Sequence, residues 1–287
     1  MAERGAGTVT VSHSGPVAYL VLDNPSMRNA LTQPMWQLLP GLLAELADDD
    51  TVKVVVVRGA GGHFSAGADI ASVQAILRHR APEEGAVEGD GEGAEEGTGG
   101  GAGGDITVAE EALARFPKPT IAAIDGYCVG GGWQIAGACD LRLASEAAIY
   151  GVTPAKIGIV YPLSGIKRLV QLVGPATARY LLFTGDFVDA TEALRLGLAT
   201  KVLPQTTFWD GVAAFARHVA ARSQLSVRAQ KELINLIGQG DGGAAALDER
   251  NLYWQREMMV GEDAAIGVAA FLAKRTPQFT WVRPGGV

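Results

Sequence analysis

The chain has 287 residues, 48% of them hydrophobic and 19% charged, with a formal net charge of −7. That length supports one large buried core, and no uninterrupted apolar run is long enough to cross a bilayer. The charge is local: residues 81–104, "APEEGAVEGDGEGAEEGTGGGAGG", hold seven acids and no base, and the remaining 24 bases face 24 acids. A neutral body offers no electrostatic footprint for nucleic acid, so neither a nucleic acid nor a membrane is expected as a partner.

In chain order, "MAERGAGTVTV" lacks the apolar centre of a secretory signal, which makes a cytoplasmic protein the expectation. "TVTVSH" and "VAYLVLD" form a strand pair joined across Ser14–Pro16. "TQPMWQLLPGLLAEL" has a helical period, with Thr32 as N-cap, Pro34 in the first turn and Pro40 predicting a kink. "VKVVVVRG" and "PTIAAIDG" are β-branched or continuous apolar runs, hence strands buried on both faces. The stretch 81–104 between them is glycine-rich and devoid of aromatics, and reads as a flexible loop without a core of its own. "DLRLASE" and "AAIYG" follow as strands. "SGIKRLVQLVG", "PATARYLLFTG" and "DATEALRLG" are helical, "TKVLP" is strand-like, and the last eighty residues predict three or four more helices. Strands alternating with helices before a helical tail argue an α/β fold. Cys128 and Cys139 lie in apolar surroundings and read as buried free thiols.

Chemistry concentrates in "GYCVGGGWQIAGACD", residues 126–140. Three consecutive glycines, Gly130 to Gly132, expose bare backbone as a helix begins near Gly131, where unsatisfied amides sit at the positive end of the helix dipole. Set against a reacting carbonyl, such an N–H is half of an oxyanion hole. A glycine-mediated helix contact is the plainer alternative. The stretch has no G-x-G-x-x-G, the chain has no G-x-S-x-G or H-E-x-x-H, and four scattered histidines have no ligand spacing. A second small-residue loop, "SAGAD" in "RGAGGHFSAGADI", again follows a buried strand. Two such loops supply what a carbonyl with two donors requires.

"NPSMRNALT", "GHFSAGADI", "GYCVGGGWQIAGACDLRLAS", "TGDFVDATEALRLGLATKVLP" and "AFLAKRTPQF" together resemble, in order and spacing, the enoyl-CoA hydratase/isomerase (crotonase) superfamily over roughly residues 8–280. The resemblance implies a ClpP-like spiral of repeated β-β-α units over residues 1–203 and a C-terminal helical region, 204–287, that builds a homotrimer or a dimer of trimers. It implies an acyl-CoA thioester as substrate, with coenzyme A arriving as part of it and no separate cofactor or metal. Two backbone amides, by position those of Ala66 and Gly131, would hold the thioester oxygen and stabilise the enolate beside it, with Gly130 alongside. Ala68, Asp69 and Ile70 match the adenine-contacting loop, although Asp69 reads equally as a helix N-cap. Arg28 lies where a basic residue meets coenzyme A, and Phe271 and Lys274 match C-terminal residues that reach it, often from a neighbouring subunit.

The sequence departs from this pattern where it matters. Hydratases of the family carry two glutamates; Gln134 stands at one position and Pro154 at the other. Adding water across a double bond needs a base and an acid, and neither residue ionises. "TPAKIGIVYPLSGIKRL" resembles the methylmalonyl-CoA decarboxylase branch, with Tyr161 on that branch's active-site tyrosine. Decarboxylation generates the enolate without a base, and neutral Gln134 and Tyr161 could hydrogen-bond to a departing carboxylate. Gln134 could equally be inert, and Tyr161 could simply pack below the site. Three readings follow: a hydratase/isomerase-type enzyme with an unusual residue set, a malonyl-type decarboxylase, and a non-catalytic CoA-binding scaffold.

Overall fold

The computed structural model describes residues 7–69, 102–239 and 243–283. Strands β1 (Thr8–Ser14) and β2 (Val17–Asp23) pair antiparallel, in register from Thr8 opposite Asp23 to Ser14 opposite Val17. Strand β2 then pairs parallel with β3 (Val54–Gly59), and β3 with β4 (Thr120–Ile124). After β5 (Tyr127–Val129), the large sheet continues from β4 to β6 (Leu141–Ser145). Strands β7 (Ile149–Gly151) and β8 (Phe187–Asp189) join β5 in a separate three-stranded sheet, and β9 (Lys201–Leu203) closes the six-stranded one in the order β1-β2-β3-β4-β6-β9.

The continuous apolar runs form central strands because both faces are covered. Side chains alternate across a strand: Val54 and Val56 point into one cluster with Ile121 and Leu143, whereas Val55 and Val57 point into another with Leu20, Leu22 and Ala122. The first cluster is sealed by helix α6 (Phe208–Ala220) through Phe208, Val212 and Ala216. The second holds α1 (Gln33–Asp48), α2 (Ala102–Ala114), α3 (Gly131–Ala138) and α4 (Leu163–Thr184). Asp189 caps α5 (Ala190–Leu196) by accepting from the Glu192 N–H at 2.8 Å. Beyond β9 the chain is helical among the described residues: α6, α7 (Gln224–Gln239), α8 (Gly243–Val260) and α9 (Asp263–Leu272).

Helix α1 continues through Pro40 from Gln33 to Asp48. The two helices expected within 163–184 are both present, separated at Gly174, whose φ of 77° and ψ of 162° interrupt the helix. The expected loop 81–104 lies outside the described residues except at its end, where α2 has begun by Ala102. Cys128 and Cys139 are buried free thiols. No described helix is long and apolar enough to cross a membrane.

Asn29 ties the first loops together. In the left-handed region (φ 57°), it donates from Nδ2 to the carbonyls of Ala60 (2.8 Å) and His63 (2.7 Å). Its Oδ1 accepts from the Asn24 N–H at 3.0 Å, and its own carbonyl accepts from the Ser65 hydroxyl at 2.7 Å. Asn29→Ala removes three of these bonds, leaves buried main-chain groups unpaired, and retains the left-handed backbone. A loss of about 2–4 kcal/mol in stability is expected, measured as a lower denaturation midpoint with an unchanged denaturant slope.

Candidate active site

Strand β3 delivers the first loop to the end of the large sheet, where bridging to two neighbours decides which amides are used. Ser65 extends the small sheet, donating to the Tyr127 carbonyl (2.8 Å) and accepting from the Val129 N–H (3.0 Å). Two residues on, Gly67 accepts from the Leu31 N–H (2.7 Å), and the Asp69 N–H donates to the Leu31 carbonyl (2.9 Å). In such a parallel bridge the flanking residues make the bonds, so the N–H of the residue between them, Ala68, is directed away from its partner. The Ala66 N–H, expected to meet the substrate, donates instead to the Arg28 carbonyl at 2.9 Å. It is therefore consumed by the fold, a correction to the expected pair of donors. Among the described residues the Ala68 and Gly131 N–H groups have no protein acceptor.

The glycine triplet brings the second loop onto the first. A Cβ on Gly131 would stand 3.1 Å from the Ala68 nitrogen and 3.0 Å from Trp36 Cζ2. One on Gly132 would stand 2.7 Å from the Ser65 carbonyl oxygen, a distance no real Cβ tolerates. Gly67, with φ 114°, occupies backbone that only glycine adopts readily, facing Val129 and Gly131. The head of helix α3 thus lies against loop 65–68 main chain to main chain, with the unengaged amides of Ala68 and Gly131 adjoining. The anion preference of a helix N-terminus applies at this point.

Three buried polar atoms without a hydrogen-bond partner lie around this junction: Gln134 Nε2, Tyr161 Oη and Glu110 Oε1. A Cβ on Gly130 would be 3.8 Å from the Tyr161 hydroxyl and 3.9 Å from Thr153 Oγ1, which puts the 153–161 segment beside the triplet. Burial pushes the Tyr161 phenol well above its ordinary pKa. A Cβ on Gly165 would be 3.1 Å from Gln134 Nε2 and 3.6 Å from Glu110 Oε1, so the amide and the carboxyl converge on one spot of helix α4. Glu110 is fully buried. Its Oε2 accepts from the Ser164 hydroxyl at 2.9 Å, with Arg168 Nη1 3.9 Å away. Burial raises its pKa to about 7, with Arg168 and Ser164 opposing and Glu111 adding slightly.

Glu110 was absent from the expected site residues. A signal existed: it shares the apolar stripe of α2 with Ala109 and Leu113, and a carboxylate on such a stripe is rarely inert. Pro154 is buried at the start of a short 3-10 turn next to Thr153, within the site's wall. Arg28 is exposed, its guanidinium 5.2 Å above the Tyr127 ring at the edge of the first loop. Phe271 is 82% exposed at the end of α9 and Lys274 follows it at φ 50°; no hydrogen bond, ion pair or ring contact joins either to the two loops among the described residues. Ile70 lies outside the described residues. A cavity of about 870 Å³ lined by Arg228, Lys231, Arg250, Trp254 and Trp281 shares no residue with this junction.

The buried carboxyl makes stability depend on pH. Unfolded, Glu110 titrates at the ordinary 4.5; folded, it holds its proton up to about 7. The folded form binds more protons across that window, so this group's contribution to stability falls as pH rises through it and stays low above it. Glu110→Gln removes that fall. Relative to wild type, the variant is expected to gain on the order of 3 kcal/mol between about pH 5 and about pH 8, read from denaturation midpoints at the two values.

A family model described as enoyl-CoA hydratase/isomerase matches residues 12–88 and 103–281. The chain is 32% identical over 264 residues to the crotonyl-CoA hydratase of Syntrophomonas wolfei, covering 92% of this chain and 94% of that one. It is 31% identical to the peroxisomal Delta(3,5)-Delta(2,4)-dienoyl-CoA isomerase of Arabidopsis thaliana, covering 92% of both. A solved structure of an enoyl-CoA hydratase/isomerase family member superposes with a TM-score of 0.84 at 38% identity, over 97% of this chain and all of that one. With the motifs, the fold and these likenesses in agreement, the chain belongs to the enoyl-CoA hydratase/isomerase (crotonase) family.

Proposed function

We propose that the protein binds an acyl-CoA thioester with its carbonyl oxygen between the Ala68 and Gly131 N–H groups and runs its chemistry through the enolate these donors stabilise. The observation that carries this reading is the pair of adjoining main-chain amides with no protein acceptor. Charge that builds on the oxygen meets donors already in place, and removing one such donor typically costs about 100- to 1,000-fold in rate. Gln134 and Tyr161 orient the acyl head as neutral hydrogen-bonding groups. Helix α3 supplies no ionisable side chain, so the familiar two-glutamate route to hydration is unavailable and proton transfer to or from carbon is the step to look for.

Decarboxylation of a malonyl-type thioester is the second reading. The free Gln134 amide and Tyr161 hydroxyl favour it, since both can donate to a carboxylate. Glu110 weighs against it at high pH, where a second negative charge would repel that group. The exposed apolar side chains of α8 and α9, among them Met259, Val260, Phe271 and Leu272, support self-association through the C-terminal helices. A homotrimer or dimer of trimers would then bring Phe271 and Lys274 to a neighbour's coenzyme A.

Acetoacetyl-CoA, whose enolate absorbs in the ultraviolet, tests the central claim. The wild type is expected to bind it and raise the enolate band. Gly131→Ala, which places a methyl group 3.1 Å from the Ala68 nitrogen, is expected to weaken that band and cut turnover about 100-fold or more. A folded Gly131→Ala protein that keeps both would sink the proposal. Separate incubations with crotonyl-CoA and methylmalonyl-CoA divide the readings, by loss of enoyl absorbance or release of CO₂; neither change despite tight thioester binding would favour the scaffold.

A further inference from the structure

We infer that Glu110, reaching in from helix α2, is the proton carrier of this site: its Oε1 accepts a proton from the carbon next to the thioester carbonyl and returns it to that carbon or to the γ carbon. This rests on the thioester reading above and deepens it by naming the residue that carries the proton.

The geometry separates the two carboxylate oxygens by task. Oε2 is held by the Ser164 hydroxyl at 2.9 Å and lies 3.9 Å from Arg168 Nη1, whereas Oε1 is buried and has no partner. An unpaired carboxylate oxygen in a closed interior is costly and calls for an occupant. Oε1 faces the same point on α4 as Gln134 Nε2, one helical turn from the Gly131 amide, and Tyr161 Oη is the third orphan of the group. Helix α3 brings no titratable side chain, α1 faces α2 with Gln33 and Gln37 on Asp105, α4 brings Arg168, and the 153–161 segment brings Tyr161. On α2 itself, Glu111 is drawn off to Arg168 at 3.0 Å and to Arg115 at 3.1 Å. Glu110 is therefore the one carboxyl of the described residues that adjoins the orphaned amide and hydroxyl. Its pKa of about 7 gives it both protonation states near neutrality, as a group that both takes and gives a proton requires.

The step balances without a co-reactant. Ionised Glu110 forms an O–H bond with the α proton. The C–H pair becomes the Cα–C(O) π bond, and the carbonyl π pair moves onto the oxygen between the Ala68 and Gly131 amides. In a β,γ-unsaturated ester the resulting dienolate collapses as the C=O re-forms. Its terminal π pair takes the proton back from Glu110 at the γ carbon, leaving the carboxylate and the conjugated 2-enoyl ester.

The test is hydrogen exchange in D₂O with 3-butenoyl-CoA, following deuterium in recovered ester and the conjugated-enoyl absorbance, with butyryl-CoA binding measured in parallel. Wild type is expected to label and conjugate the ester, with a rate that rises through a pH near 7 and then levels. Glu110→Gln is expected to bind butyryl-CoA as wild type does while losing about 100-fold or more of both signals, and Glu110→Asp to recover part of them. Binding without labelling or conjugation in wild type overturns the role of Glu110. So does a folded Glu110→Gln protein that retains the rate, with the oxyanion hole left standing in that case. Should Glu110→Gln not fold, a wild-type rate with no inflection between about pH 6 and about pH 8 overturns it. Absence of thioester binding overturns the site reading and this inference together.

Discussion

Main chain meeting main chain at the head of helix α3 is the constraint on which the site depends. Two peptide segments can approach this closely only where no Cβ intervenes, and Gly67, Gly131 and Gly132 remove the three that would collide with Val129, Ala68 and Ser65. Glycine alone would leave the approach loose, since it gives up the most conformational freedom on ordering. The looseness is removed by bridges: Ser65 to β5, Gly67 and Asp69 to Leu31, Ala66 to Arg28. Asn29 clamps the base of the loop through four hydrogen bonds. What remains after all those bonds are made is the pair of amides left over. A donor pair fixed this way needs no reorganisation when charge appears in front of it, which is where most electrostatic stabilisation of an enolate originates.

Among the described residues, Glu110 is the fully buried carboxyl that borders the junction. All eight residues of α3 are buried, and Gln134 is its polar exception. The single buried carboxyl enters from another helix, and its desolvation is offset only in part by Ser164 and by an arginine that Glu111 holds closer. An ion pair tight enough to satisfy Glu110 would have locked it as a carboxylate; the longer separation leaves it able to change state. The same weakness that destabilises the fold at high pH makes the group usable as an acid and a base.

The sequence was legible where local pattern and tertiary role coincide. "VKVVVVRG" became a strand buried on both faces, and the glycine triplet became a helix head because only close approach explains three bare positions in a row. It was opaque to register. Ala66 and Ala68 are both alanines in the same loop, and the difference between a consumed and a free amide lies in which residue pairs with Leu31, a bridge between positions 37 residues apart. At Pro40 the local rule predicts a kink, and the buried face of Trp36, Leu39 and Leu43 carries α1 on to Asp48. Glu110 was masked by its neighbour, since "EE" on a helix reads as a solvated face until packing shows that one of the two, Glu111, is partly exposed and the other is not.

These differences share one cause. On the proposed reading, the donors that hold the thioester oxygen belong to the backbone, so they depend on how closely the chain packs and hardly on which side chains surround it. The groups that move protons belong to side chains, and any helix bordering the junction can supply one. On the same reading, the neutral residues Gln134 and Pro154 close a particular proton path and leave enolate stabilisation intact. The proposed carrier, the Glu110 carboxyl of α2, meets the Gln134 amide of α3 at one spot of α4. It is a single group, which suffices for proton transfer between carbons, whereas addition of water needs two acting together. On this proposal the stabilising charge and the travelling proton are structurally independent, and a change of helix for the second is a change of reaction without a change of hole.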